Sequence, residues 1–314
     1  MSDMTWDELR SEFWRLCGED AYAEALALIT PRAHIFPDRG RFHNWRMCMA
    51  ARVGDTALAL QAFEQALADD FWCAPKMLRE DEDLASLQGL PEFERLAAIC
   101  QERFEAARAQ ARPALTVIQP EGRTGPYPAL LALHGNFGTS AASIDFWHTA
   151  VAQGWLLALP QSSQIIWPNA YVWNDRERAV PEIQEHYATL AEQYPIDRSR
   201  VVAGGFSMGG GLAIWLTVSG AIEARGFVAV SPFLKDIQSL APLLDARDPR
   251  TLRGYIIVGE QDEGCIKISR QLADLMASRD MACKIELQPG LGHEFPPDFA
   301  PSLANGLRFA LGKE

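Results

Sequence analysis

The chain has 314 residues, 48% hydrophobic and 22% charged, an ordinary balance for globular protein and enough length for two domains with cores of their own. A formal net charge of −12 would repel a nucleic-acid backbone, and no Lys/Arg run interrupts that excess, so nucleic acid is not an expected partner. Six cysteines, at 17, 48, 73, 100, 265 and 283, form no C-x-x-C and no His/Cys spacing suited to zinc, so neither a disulfide framework, a metal site nor a cofactor is indicated.

The first ten residues are acidic and polar, without a basic flank and apolar core, and no apolar run approaches bilayer length. The sequence therefore reads as cytoplasmic, with no membrane span. From residue 5 to about 112, apolar residues recur at helical spacing, rich in Ala and Leu and nearly free of β-branched clusters. That pattern predicts an all-helical domain over 1–112. A shift of 34 residues superposes Ala25 on Ala59, Leu26 on Leu60 and Ile29 on Phe63, with Pro37 where such a repeat ends. This is the tetratricopeptide period, and Gly54, Ala59, Phe63, Ala66 and Leu67 match the second helix of such a repeat. Trp45 and Phe71 depart from its pattern, and a third copy is not visible.

The helical half thus resembles a short, degenerate tetratricopeptide stack, with fewer repeats than such stacks need to be stable alone. It is expected to lean on the rest of the chain or on another copy, which leaves a homo-oligomer through this domain open. With few repeats and no basic clamp, a capping or dimerising scaffold is favoured over a peptide-binding groove. Asp81 to Asp83 opens another helical segment, a last amphipathic helix spans 91–111, and Pro113 closes it.

After Pro113 the pattern changes to short apolar runs at 116–119, 129–133, 155–159, 201–203, 227–230, 255–258 and 284–287, most of them apolar on both faces. Between them lie helical stretches at 146–152, 176–193, 209–218, 267–278 and 301–310. Strands buried on both faces and alternating with helices predict a doubly wound, mostly parallel α/β domain over 113–314. Ligands in such sheets bind at the carboxyl ends of the strands.

Gly205-Phe206-Ser207-Met208-Gly209 sits on one of these strand-to-helix turns. The glycines permit a turn tight enough to lift the serine hydroxyl out of the sheet, toward the free amides of the next helix. Asp262 follows the second strand after the serine and His293 the third, in the order Ser207, Asp262, His293. A serine hydroxyl is a weak nucleophile at neutral pH, so a histidine must take its proton, and a carboxylate must orient the imidazole. Glu260 could supply that carboxylate instead, and spacing does not exclude Asp175 or Asp236. The loop Leu133-His134-Gly135-Asn136-Phe137-Gly138 offers an oxyanion hole, with donors expected from the amides of Asn136 and Met208. His134 is expected to tether the loop. Between Gln161 and Asp175, Trp167, Tyr171 and Trp173 could wall a substrate pocket, with Phe137 and Phe206 as further candidate substrate contacts; packing of the aromatic loop on the sheet edge is the alternative.

The motifs LHGNFG, ALPQSSQ, GGFSMGG, GEQD and GLGHEFP, with the segment Tyr171-Val172-Trp173, resemble the phospholipase/carboxylesterase branch of the α/β-hydrolase superfamily, which includes acyl-protein thioesterase relatives. The resemblance spans about two thirds of the chain. It implies a catalytic triad of Ser207, Asp262 and His293 and a small-molecule ester, or thioester, as substrate. Asn136-Phe137 stands where many relatives carry a further small residue, which narrows the expected acyl site. Aspartate at the elbow would suggest dehalogenation and cysteine a dienelactone-type chemistry; serine argues acyl transfer to water. A prolyl oligopeptidase-type serine peptidase is the second reading, although the helical half cannot form that family's β-propeller. A non-catalytic, repeat-based partner-binding protein is the third, and it would predict a broken triad.

Overall fold

The computed structural model describes residues 4–32, 35 and 40–313. Pro37 lies outside the described residues. The chain divides into two units, Met1–Ala111 with Ile165–Pro168, and Arg112–Gln164 with Asn169–Glu314. No helix among the described residues is long and apolar enough to cross a membrane.

The first unit is helical: α1 (Trp6–Gly18), α2 (Tyr22–Ile29), α3 (Gly40–Arg52), α4 (Thr56–Ala68), α5 (Pro75–Arg79) and α6 (Pro91–Gln110). Thr5 starts α1 with a capping box, its hydroxyl accepting the Glu8 amide while the Glu8 carboxylate accepts the Thr5 amide. Asp55 caps α4 by accepting from the Leu58 amide. α3 begins 34 residues after α1, and α4 34 residues after α2, so the period seen in the alanines is also the period of the helix starts. Trp45 packs between helices, its ring stacked 4.0 Å from Phe13. The segment 165–168 belongs here because Ala74 donates its amide to the Ile166 carbonyl at 2.7 Å and Trp167 packs against Phe71.

The second unit is built, in chain order, from β1 (Ala114–Ile118), β2 (Tyr127–Leu133), α7 (Ser140–Trp147), α8 (Thr149–Ala152) and β3 (Leu156–Gln161). The short strands β4 (Ile165–Trp167, in the helical unit) and β5 (Ala170–Tyr171) follow, then α9 (Arg176–Gln193), β6 (Ile196–Phe206), α10 (Ser207–Ser219) and β7 (Gly226–Val230). α11 (Ala241–Asp245), β8 (Arg253–Gly259), α12 (Glu263–Ala277), β9 (Ala282–Gln288) and α13 (Phe299–Ala310) complete it.

Its sheet has the order β1-β3-β2-β6-β7-β8-β9, with β1 antiparallel to β3 and every other pairing parallel. The two-sided burial expected from the apolar runs follows the strand period. Ala129, Leu131 and Leu133 of β2 face a core with α9 and α10, whereas Leu130 and Ala132 face α7, α8 and α13. This is a doubly wound, mostly parallel α/β fold. Three details differ from the sequence expectation. β6 starts at Ile196, because its first half, Asp197 to Arg200, is polar and half-exposed and shows no apolar run. One expected helix at 146–152 is two, α7 and α8, with Thr139 accepting from the Ala142 amide to start the first at Ser140. The short α11 carries too few residues for a helical period to register.

Candidate active site

The strand order reverses at β2, with β3 on one side and β6 onward on the other. A crevice opens at such a switch point, outside the carboxyl ends of the strands. Leu133 and Gly205 are register partners at the ends of β2 and β6, so the loop beginning at His134 and the turn carrying Ser207 emerge side by side.

Ser207 joins β6 to α10 with φ of 53°, a left-handed conformation that a non-glycine residue adopts only where surrounding structure enforces it. A Cβ on Gly209 would fall onto the His134 carbonyl, so only glycine lets α10 begin this close beneath the loop. The Ser207 hydroxyl lies 2.9 Å from His293 Nε2, and His293 Nδ1 lies 2.7 Å from Asp262 Oδ2. Asp262 also caps α12, its Oδ1 accepting from the Cys265 amide at 3.4 Å. One carboxylate oxygen is thus committed to a helix start and the other to the imidazole, which fixes the plane of both.

The acid and histidine loops approach closely because a Cβ on Gly259 would meet the carbonyls of Leu291 and Gly292. Gln261 donates to Leu291 at 2.9 Å and Glu260 to Gln288 at 3.0 Å across this gap. The Asp262 side chain is 10% exposed and that of His293 44%, so the acid is covered and the imidazole open. Burial works to raise the Asp262 pKa, but the hydrogen bond and charge of His293, together with hydrogen bonds from Cys265 and Ser231, outweigh it and hold the carboxyl below its ordinary value. An imidazole that donates from Nδ1 to an ionised Asp262 presents its Nε2 lone pair to the serine.

The other carboxylates considered from sequence are engaged elsewhere. Glu260 accepts from the Gly290 amide at 3.4 Å, Asp175 caps α9 through the Arg178 amide, and Asp236 accepts from the amides of Gln238 and Ser239. In the loop from His134 to Gly138, expected from sequence to supply an oxyanion hole, the Phe137 amide donates to the Tyr171 carbonyl at 2.8 Å. The Asn136 amide has no hydrogen-bond partner among the described residues, and Met208 lies in the first turn of α10, where no helical carbonyl precedes it. Both are placed to donate to an added group. The Asn136 side chain braces the loop, accepting from the Trp173 amide at 3.0 Å and donating to Asn174 Oδ1 at 2.8 Å.

Two family models match the chain. One describes an A/B hydrolase-like N-terminal domain and covers residues 5–108. The other, that of the dienelactone hydrolase family, covers residues 116–305. The chain belongs to the dienelactone hydrolase family. No curated protein sequence matches it significantly. Over almost its whole length it resembles the crystal structure of an uncharacterized protein from Bacillus cereus ATCC 10987, with 26% identity, 98% of this chain and 99% of that one covered, and a TM-score of 0.56. It shares the fold of esterase PE8 at 14% identity, covering 62% of this chain and 97% of that one with a TM-score of 0.53. Membership of the dienelactone hydrolase family makes the chain an α/β-hydrolase that acts on esters.

This dienelactone hydrolase family member carries serine at its elbow. The residues expected to contact substrate are dispersed. The Phe206 and His293 rings are tilted against each other with centroids 5.0 Å apart, and Phe137 lies in the loop after β2 with φ of 65°. Tyr171 pairs its backbone with Phe137 and Gly138. Trp173 is buried in the core and donates its indole N–H to the His134 carbonyl at 2.9 Å, so its ring supports the loop from below. Trp167 belongs to the helical unit.

The sequence reading missed Cys265, whose Sγ lies 3.6 Å from His293 Nδ1 and 3.4 Å from the Ser231 carbonyl. Burial and the Asp262 charge push this thiol up, so it stays protonated. Its position three residues after Asp262, in the first turn of the helix that Asp262 caps, was the available signal. Asp262, Cys265 and His293 cluster closely enough to ligate a metal, as do Cys48, Asp81 and Asp83. In the first cluster the His293 Nδ1 is committed to Asp262; in the second, burial and the two carboxylates push the Cys48 thiol up, and Arg52 pairs with Asp83.

Proposed function

We propose that this enzyme hydrolyses carboxylic esters through an acyl-enzyme on Ser207. His293 takes the hydroxyl proton at Nε2 as the oxygen attacks the carbonyl carbon, and returns it to the departing alcohol as the ester C–O bond breaks. Water repeats the sequence in reverse, releasing the acid and restoring the serine. Asp262 holds the imidazole tautomer and stabilises the imidazolium. The amides of Asn136 and Met208 stabilise the tetrahedral oxyanion, helped by the dipole of α10. A thioester presents the same carbonyl to the same groups.

The observation that carries this reading is the hydrogen-bonded line from the Ser207 hydroxyl through His293 to Asp262, at 2.9 and 2.7 Å, anchored on a serine in left-handed conformation. A fluorophosphonate probe tests it. Wild-type protein is expected to be labelled and Ser207→Ala to be inert, with ester hydrolysis by Asp262→Asn reduced on the order of 10³-fold or more. Folded wild-type protein that resists labelling, or a Ser207→Ala variant that still takes the probe, overturns the assignment.

A further inference from the structure

Ser231 is the first residue past β7, the strand between β6, which carries the nucleophile, and β8, which leads to the acid. Val230 pairs with Phe206 on one side and with Ile257 on the other, so Ser231 stands one residue beyond the pairing, as Ser207 does. Its amide donates to the Ile257 carbonyl at 2.8 Å. The backbone is left-handed there, with φ of 41°, which a residue with a Cβ adopts only where its surroundings enforce it. Among the described non-glycine residues with positive φ, Asp20, Asp70, Asn169 and Asp280 are of the types that tolerate it. The remainder, Phe137, Ser207 and Ser231, follow the carboxyl ends of β2, β6 and β7.

Nothing in the core calls for a serine at this point. Ser231 is fully buried, and apart from Asp262 its hydroxyl has no hydrogen-bond partner among the described residues. A buried hydroxyl without an acceptor is destabilising, so glycine would serve both the turn and the packing better. The groups around Ser231 are those of the triad. Its carbonyl accepts from Cys265 Sγ at 3.4 Å, the Cys265 amide donates to Asp262 Oδ1, and the same Sγ lies 3.6 Å from His293 Nδ1. Two residues on, the Phe233 amide donates to the Ser207 carbonyl at 2.9 Å. A Cβ on Gly211 would fall on the Phe233 carbonyl, so the segment lies flush against the start of α10. One short segment, Ser231-Pro232-Phe233, thus touches the backbone of the nucleophile at one end and the surroundings of the acid at the other.

Resting on the serine-ester reading above, we propose that Ser231 is a positioning residue for this triad: its hydroxyl donates to the Asp262 carboxylate and sets both the direction and the basicity of the group that orients the imidazole. A carboxylate that shares its charge with a further donor holds the Nδ1 proton less tightly. The imidazolium formed during attack therefore stays acidic enough to return its proton to the departing alcohol. The ionisable groups here are Asp262 and Cys265 at the start of α12 and His293 after β9. Cys265 stays protonated, Glu260 is bonded to the Gly290 amide, Glu294 follows His293 in the chain, and β7 and α10 carry no ionisable side chain. A change in pH dependence on altering Ser231 accordingly reports on the Asp262–His293 pair.

Ser231→Ala and Ser231→Gly both remove the hydroxyl but act oppositely on the backbone, since alanine keeps the strained turn and glycine relieves it. Glycine adopts the observed φ freely, so its result is independent of any folding defect in Ser231→Ala. With phenyl acetate as substrate, both variants are expected to move the acid limb of the kcat/KM profile upward by about 0.5–1 pH unit, because the unshared carboxylate charge favours the imidazolium. Both are also expected to lower kcat at the optimum about 10-fold, the equivalent of one hydrogen bond to a charged group. An acid limb that either variant leaves in place overturns the role while leaving the esterase reading intact; a wild-type-like Ser231→Gly would assign the serine to the turn alone. Wild-type protein that neither turns over phenyl acetate nor takes a fluorophosphonate removes both proposals.

Discussion

His134 shows how one buried side chain holds the reacting loop. Its Nδ1 lies 2.8 Å from the Gly135 carbonyl, while Nε2 accepts from the Ser162 amide at 3.3 Å and from the Gln161 side-chain amide at 3.2 Å. A ring that donates at one nitrogen and accepts at the other is neutral, and burial pushes its pKa down from 6.5 to about 4. The unfolded chain binds this proton below about 6.5 and the folded one only below about 4. Stability from the neutral ring is therefore complete above about pH 6.5 and is lost as pH falls toward 4, to a total of about 3 kcal/mol. Thermal unfolding followed from pH 7 to 4 should fall more steeply for wild type than for His134→Gln. Parallel slopes for the two proteins would assign the acid sensitivity elsewhere. The tethering role was legible in the sequence, since a histidine beside a glycine in such a loop bonds to backbone; its partners at Gln161 and Ser162 were not, because they leave a different strand.

At the scale of elements, the decisive junction is β6 to α10. The strand ends, the helix begins at the next residue, and Ser207 bears the strained conformation between them. Gly209 makes room for the His134 carbonyl, so Gly209→Ala must push apart α10 and the loop that begins at His134. Overpacking of this kind costs about 1–3 kcal/mol, but the larger effect is expected on chemistry, because the Asn136 and Met208 amides proposed to bind the oxyanion would be moved apart. The expected result is a fall in kcat of about 10²-fold or more with a modest drop in melting temperature. A variant that loses stability yet keeps its kcat would show that the loop follows the helix without losing its geometry.

The strands themselves were readable wherever an apolar run was buried on both faces. The first half of β6 escaped detection because it is polar and carries no such run, and the break between α7 and α8 escaped because Trp147 and Ala150 keep the segment apolar across it.

At the scale of the molecule, the chain is not cut cleanly where its composition changes. Residues 165–168 leave the catalytic half and join the helical unit, where Trp167 is 5% exposed and Ile166 accepts from Ala74. Deleting residues 1–111 would strip Trp167 of Phe71 and leave the Ile166 carbonyl without its donor. The truncated protein is expected in the insoluble fraction or with a melting temperature lowered by the equivalent of about 3–5 kcal/mol. Adding Trp167→Ser to the truncation should recover solubility. A truncated protein with unchanged melting temperature would show that the excised packing contributes nothing.

The sequence by itself determined what depends on local sterics and period: the helical half with its 34-residue offset, the mostly parallel sheet, and a glycine-flanked serine with an aspartate and a histidine at later strand ends. Each of these is encoded within a few turns or one strand of chain, so the pattern survives without knowledge of neighbours. Only the tertiary structure decided that the His293 imidazole bonds Asp262 while Glu260 serves Gly290, that Trp173 lies under the loop, and that Phe146, Phe206 and Phe295 form one file. Those rings come from a helix, a strand end and a loop far apart in the chain. Sheet order brings them together, and no local spacing records that order.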